Sequence, residues 1–211
     1  MERYKKNIEL LQNNNVYSKE MEHDACGVGL VASTQGKKSR EVVEYGIEAL
    51  KAVWHRGAVD ADGKTGDGAG IHLEIPKDFF IEKIEITGHK FDNAEICVGM
   101  IFLPRNNFES QETSRTIIER ELTKSNFSIY GWRQVPVNPK VLGEKADSTR
   151  PEIAQVLFKH NDIDLNGKDL ERRLYETRRK IENEAIKNSL DGLYICSLSS
   201  KSIIYKGMFL A

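Results

Sequence analysis

Cys26 stands at the mouth of a short apolar run, Cys26-Gly27-Val28-Gly29-Leu30-Val31-Ala32, behind a polar leader at residues 1–25. If the peptide bond before it were cut, the thiol and a free α-amine would belong to the same residue. A thiol is a weak nucleophile until it loses its proton, and an α-amine with an unperturbed pKa of roughly 7.7–8.0 is matched to accept that proton near neutral pH. The pair would be a self-contained nucleophile and base. Gly27 and Gly29 allow a substrate to approach the backbone closely. Cys97 and Cys196 lie inside apolar runs and read instead as small buried hydrophobes.

The elements that must position Cys26 surround it in the chain. The leader holds one short amphipathic stretch (Ile8, Leu10, Leu11), then Asn13, Asn14 and Asn15, then the charged segment 19–24, and could be lost without harm to a core. Val28 to Thr34 reads as a buried strand ended by a turn at residues 35–38. Ser39 offers an N-cap with Glu41 in the first turn, and Val43, Ile47, Leu50 and Trp54 fall on one helical face. That helix runs into His55-Arg56-Gly57-Ala58 and then a loop containing Gly63, Gly66, Gly68 and Gly70, a density that implies sharp turns or close passage past a neighbour. Gly63-Lys64-Thr65 is not the end of a phosphate-binding loop, because that motif needs glycine where Ala58 stands. The aspartates at 60 and 62 do not make a calcium loop either, since Lys64 and Ile71 occupy ligand positions.

Farther on, Ile71–Ile75 reads as a strand stopped by Pro76, with Phe79-Phe80-Ile81 on a loop or helical turn. Ile96–Leu103 has the pattern of a strand covered on both faces. A helix is expected over 109–124 with Ile117, Ile118 and Leu122 inward, a strand over 128–135, a chain break at Pro136 and Pro139, and a strand over 153–158. A long charged helix over 168–188 turns Leu170, Leu174, Ile181 and Ala185 inward, and Arg172, Arg173, Arg178 and Arg179 read as a solvated face paired with Glu171, Glu176 and Glu182. Strands at 193–198 and 202–206 are joined by Ser199-Ser200-Lys201 in hairpin fashion. The class is α+β, antiparallel sheets flanked by helices.

Composition narrows the function. A net charge of -1 excludes the basic excess of a nucleic-acid binder. No apolar run approaches the roughly 20 residues that cross a bilayer, and asparagines stand where a signal peptide would have its apolar centre. The chain therefore reads as cytoplasmic, without membrane or nucleic-acid partners. Its three distant cysteines suggest reduced thiols, with neither a disulfide framework nor a metal site.

Cys26-Gly27-Val28-Gly29, followed by His55-Arg56-Gly57-Ala58 and by Ala61 to Gly70, closely resembles the start of the glutaminase domain of glutamate synthase large chains, and more widely that of class II glutamine amidotransferases. Gly131-Trp132-Arg133-Gln134-Val135-Pro136, Leu174-Tyr175-Glu176-Thr177-Arg178-Arg179 and Tyr194 to Ser200 extend the resemblance, which covers Cys26 to Ala211. It implies an N-terminal-nucleophile hydrolase fold, two antiparallel sheets stacked between helical layers (αββα), incomplete at its C-terminus. Residues 1–25 become a propeptide, and 26–211 the amino-terminal part of the amidotransferase domain. By the same resemblance Cys26 is the catalytic nucleophile, while Arg56 and Gly57 belong to the loop that shapes the glutamine pocket. The loop at 65–70 is read as architectural.

In full-length members of that family ammonia passes to a synthase domain holding FMN and an iron–sulfur cluster, reacts there with 2-oxoglutarate, and electrons come from a reduced nicotinamide through a small subunit or from ferredoxin. This segment itself is expected to bind no cofactor and no metal. Two rival readings stay open: a class II amidotransferase feeding a sugar or nucleotide precursor, and a catalytically silent module of the same fold. The resemblance also implies segments that are not found before Ala211, an Arg-Phe-Ser-Thr grip for the glutamine carboxylate, an Asn-Gly oxyanion hole and a later acidic residue. The 211-residue chain alone is accordingly expected to show little or no glutaminase activity, because loss of one oxyanion donor costs roughly 100- to 1000-fold. Ammonia release at rates typical of a complete amidotransferase would overturn that expectation.

Overall fold

Ile96–Leu103 is apolar at almost every position, and such a strand is stable only where both of its faces are covered. The computed structural model, which describes residues 27–53 and 58–208 together with residues 6, 9 and 10, places it inside a sheet. In chain order the described elements are helix α1 (Arg40–Ala52), strand β1 (Ala69–Glu74), α2 (Lys77–Ile86), β2 (Ile96–Leu103), α3 (Phe108–Lys124), β3 (Phe127–Gln134), a 3-10 turn (Pro139–Val141), α4 (Glu144–Thr149), β4 (Glu152–His160), α5 (Gly167–Lys187), β5 (Tyr194–Ser199) and β6 (Ser202–Gly207). One sheet has the order β3-β4-β2-β5, and β1 pairs with β6 in a second, two-stranded sheet. Every ladder is antiparallel, as the α+β reading expects.

Alternation along β2 sorts the core into two halves. Cys97, Ile101 and Leu103 face Ile117, Ile118 and Leu122 of α3 and Leu170, Leu174 and Ile181 of α5, the inward residues that the helical periodicity names. Ile96, Val98 and Met100 face the other way, toward Phe80 and Ile84 of α2, Leu73 of β1 and Ile203 of β6. The second half of the core is thus shared by both sheets. Buried Gln155 on β4 adds a polar link across it, accepting from the Arg133 guanidinium at 2.8 Å and donating to the Tyr205 hydroxyl on β6 at 3.2 Å.

Three expectations need correction. Ser199-Ser200-Lys201 does not close a hairpin: β5 stays in the four-stranded sheet while β6 crosses to pair with β1. The crossing is held by Glu171 of α5, whose carboxylate accepts from the Ser199 hydroxyl at 2.9 Å and from the Ser200 amide and hydroxyl at 2.8 Å. Glu171 therefore serves this turn rather than the neighbouring arginines. Arg172 and Arg173 pair with Glu176, and Arg178 and Arg179 with Glu182, as the solvated-face reading has it. Third, Phe79 and Phe80 lie on a full helix, and the unforeseen α4 occupies the stretch after Pro139.

The centre of β2 leaves no room for growth. A Cβ on Gly99 would stand 2.6 Å from a Val156 methyl and 2.9 Å from a Leu198 methyl. Gly99→Ala is expected to lower stability by about 1–3 kcal/mol through overpacking, read as a fall in Tm by calorimetry. An unchanged Tm would contradict the tight packing described.

Candidate active site

The predicted site residues Cys26, Arg56 and Gly57, with Trp54 and His55, lie outside the described residues. The structure shows the frame on either side of them. Downstream of Cys26 the expected buried strand over Val28–Thr34 is not formed: these residues belong to no strand, and Val28 and Leu30 are more than nine-tenths exposed. The physical reason is lack of a partner, since no described strand offers it a ladder and an apolar run without one has no face to bury. The turn that follows does form, with the Gly36 amide donating to the Ser33 carbonyl at 3.1 Å.

Upstream of residues 54–57 stands α1. Ser39 caps it, its hydroxyl accepting from the Val42 amide at 3.4 Å, and Val43, Ile47 and Leu50 are half-buried on one face. The helix lies on β1, where a Cβ on Gly46 would touch Ile71 at 3.4 Å. Val53, the C-cap, donates to the Leu50 carbonyl at 3.3 Å.

Downstream, Ala58 to Asp67 forms a small closed loop. The Asp67 amide donates to the Ala58 carbonyl at 3.3 Å, Val59 and Gly66 form a bridge, and the Asp60 amide donates to the Thr65 carbonyl at 2.9 Å. Asp62 organises the interior. Its carboxylate accepts from the Thr65 hydroxyl at 2.6 Å, the Thr65 amide at 2.7 Å and the Lys64 amide at 2.9 Å, bonds that hold its carboxyl down to about 2. The carboxylate thus keeps its acceptor role throughout the neutral and mildly acidic range.

The loop also reaches across the chain. Buried Thr65 accepts from the Ala146 amide at 3.3 Å, and the Lys145 ammonium pairs with Asp60 at 2.5 Å, which lowers the Asp60 pKa and raises that of Lys145. After Gly66 the glycines earn the close passage expected of them: a Cβ on Gly70 would meet the Tyr205 carbonyl and the Lys206 Cβ at 2.8 Å. Sequence reasoning missed Asp62, Thr65, Gly143 and Lys145 as a group. An Asp followed three residues later by Thr is a local turn signal, but nothing local points to residue 143.

Burial raises the pKa of both the Cys97 and the Cys196 thiol, so neither is a ready nucleophile. Among the described residues no group of three His, Cys, Asp or Glu side chains could hold a metal ion, and no helix is long and apolar enough to cross a membrane.

The family model for class-II glutamine amidotransferases matches residues 26–211. The chain belongs to that family, and it is a glutamine amidotransferase domain of α+β architecture. It is 51% identical over 99% of its length to the glutamate synthase [NADPH] large chain of Azospirillum brasilense, of which it covers 14%. It is 39% identical over 94% of its length to the ferredoxin-dependent glutamate synthase of Pyropia yezoensis, covering 13% of that protein. Against ferredoxin-dependent glutamate synthase 1 of Arabidopsis thaliana the identity is 41% over 89% of this chain and 12% of the relative. The chain thus spans only 12–14% of the length of these curated relatives.

A thiol reagent separates the three cysteines. In the folded chain at neutral pH, iodoacetamide should leave Cys97 and Cys196 unmodified until denaturant is added, and peptide mapping should place the label on Cys26. Equal labelling of all three before denaturation would refute the assignment.

Proposed function

We propose that this domain releases ammonia from the side-chain amide of glutamine by an N-terminal-nucleophile mechanism, as the amidotransferase portion of a glutamate synthase. The observation that carries the reading is the start of the family match at Cys26 itself. Removal of residues 1–25 places the thiol and the free amine on one residue. The amine takes the thiol proton, and the thiolate adds to the amide carbon. Collapse of the tetrahedral adduct breaks the carbon–nitrogen bond, the proton held by the amine leaves with the ammonia, and a glutamyl thioester remains. Water then adds to the thioester, giving glutamate and restoring the thiol. Arg56 and Gly57 line the glutamine pocket on this reading.

The fold reading is the two-sheet stack between helical layers. The core that both sheets share supports it, with α3 and α5 covering the face of the four-stranded sheet that points away from β1 and β6. The run from Val28 to Ala32 becomes a strand there once it has a ladder partner. Similarity to both NADPH- and ferredoxin-named glutamate synthases supports 2-oxoglutarate as the final ammonia acceptor. By the family resemblance, FMN and an iron–sulfur cluster would be held by the part of the relatives that this chain does not cover.

In the full-length protein, Cys26→Ala should abolish glutamine-dependent glutamate formation while the rate with supplied ammonium persists. Intact-mass measurement on the active protein should show Cys26 at its N-terminus. Undiminished glutamine consumption in Cys26→Ala, or retention of residues 1–25 in fully active protein, would refute this reading.

A further inference from the structure

Among the described residues Arg133 is the arginine that pairs with no carboxylate; every other one does. It is also half-buried. The guanidinium lies over the Phe79 ring, 5.2 Å from its centroid, and donates at 2.8 Å to Gln155, its direct cross-strand neighbour on β4. Gln155 is fully buried, and its amide donates in turn to the Tyr205 hydroxyl on β6 at 3.2 Å, so this end of Arg133 points into the layer between the sheets. Val135 and Ile153, on the same two strands, are packed against the core that the sheets share. The Tyr205 hydroxyl accepts from Gln155, which leaves its own proton without an acceptor among the described residues.

Taking a cation out of water is costly unless hydrogen bonds and an opposite charge replace the water. A guanidinium has five N–H donors, and one of them is engaged here. The amide and the aromatic ring beside it supply no negative charge. Gln155 has both ends of its carboxamide committed, so it fixes a donor on either side of itself, Arg133 through the oxygen and Tyr205 through the nitrogen. A ligand suited to these groups offers acceptors only, matches the planar guanidinium fork and carries one negative charge, because Arg133 brings one positive charge into otherwise neutral contacts. A carboxylate meets all three conditions. A phosphate dianion would leave one charge without compensation.

We propose that Arg133 and Tyr205 form a carboxylate-binding site, with Gln155 holding the two donors in register. The carboxylate belongs either to a free small molecule or to an Asp or Glu side chain in the part of the full-length protein that this chain does not cover. Both sources meet the same donors. The site stands independently of the reading of Cys26.

The test uses the full-length protein, with acetate as the probe, exchanged against chloride at constant ionic strength. Phenylglyoxal modifies guanidinium groups, and peptide mapping gives its rate at Arg133, with the exposed Arg172 as internal reference. A free carboxylate predicts that acetate suppresses modification of Arg133 and not of Arg172, and that Tyr205→Phe loses most of that suppression. A carboxylate of the protein itself predicts that Arg133 resists the reagent in both salts. In that case Arg133→Glu should lower Tm further than Arg133→Gln, since the two variants differ only in charge. Either pattern supports the site, and the two tell its sources apart. Rapid modification of Arg133 at one rate in acetate and chloride overturns it, as does suppression shared equally by Arg172 or unmoved by Tyr205→Phe. Resistance in both salts with Tm no lower in Arg133→Glu than in Arg133→Gln also overturns it, because burial without a counter-charge would then account for the resistance.

Discussion

Double-sided burial of Ile96–Leu103 is the constraint from which the arrangement follows. Each fully buried aliphatic side chain is worth about 1.5–3 kcal/mol relative to exposure, so a strand with apolar residues on both faces cannot settle at a surface. It takes antiparallel neighbours on both edges, β4 and β5, and needs a layer on each face. Helices α3 and α5 supply one layer, and α2 with the β1–β6 pair supplies the other. This second requirement draws β6 out of the sheet that its predecessor occupies. Glu171 secures the corner from the opposite layer, so the helix that covers one face of the sheet also sets the turn that covers the other.

The candidate site hangs from that arrangement at one remove. β6 carries β1, and β1 carries α1 and the loop that begins at Ala58. A two-stranded pair has little stability of its own, and α1 contributes no fully buried residue. The frame therefore depends on packing of one helical face against Ile71 and on a handful of hydrogen bonds, each worth about 0.5–1.5 kcal/mol net. Its exposed ion pair, Lys145 with Asp60, adds little by itself. The Thr65 hydroxyl matters more because it is buried and engaged twice, so its loss would leave the Ala146 amide without an acceptor.

How much of this was legible in the residues depends on the range of the forces involved. β2 matches its expected bounds, and α3 and α5 lie within a residue of theirs, because burial of a repeating apolar pattern is a local property of the sequence. The run from Val28 to Thr34 shows the limit of the same signal: it states that a segment would gain from burial and leaves open which ladder receives it. Two strands with a three-residue link look alike whether the chain folds back within one sheet or crosses to another, so the destination of β6 was hidden. The six residues of α4 are too few for periodicity to register. Cys26, Arg56 and Gly57 rest on the family resemblance and lie outside the described residues, whereas the contact that ties the loop after Ala58 to α4 joins residues 81 apart and leaves no local trace.

A nucleophile that carries its own base alters what such a frame has to do. On the proposed reading thiol and amine belong to one residue, so their separation is set by covalent geometry and a single side-chain torsion, and no second residue need be aligned to deprotonate the sulfur. The demanding coordinate that remains is the position of the glutamine carbonyl relative to that sulfur. On the proposed reading this coordinate depends on the segment holding Arg56 and Gly57, and hence on its borders at Val53 and Ala58. Rate is far more sensitive than stability to an error there: about 1 Å can cost 100-fold in turnover while changing few buried contacts. Small, local polar fastenings are adequate for such a task because they need only fix the backbone's position, and the deep core can support them without being reshaped by them.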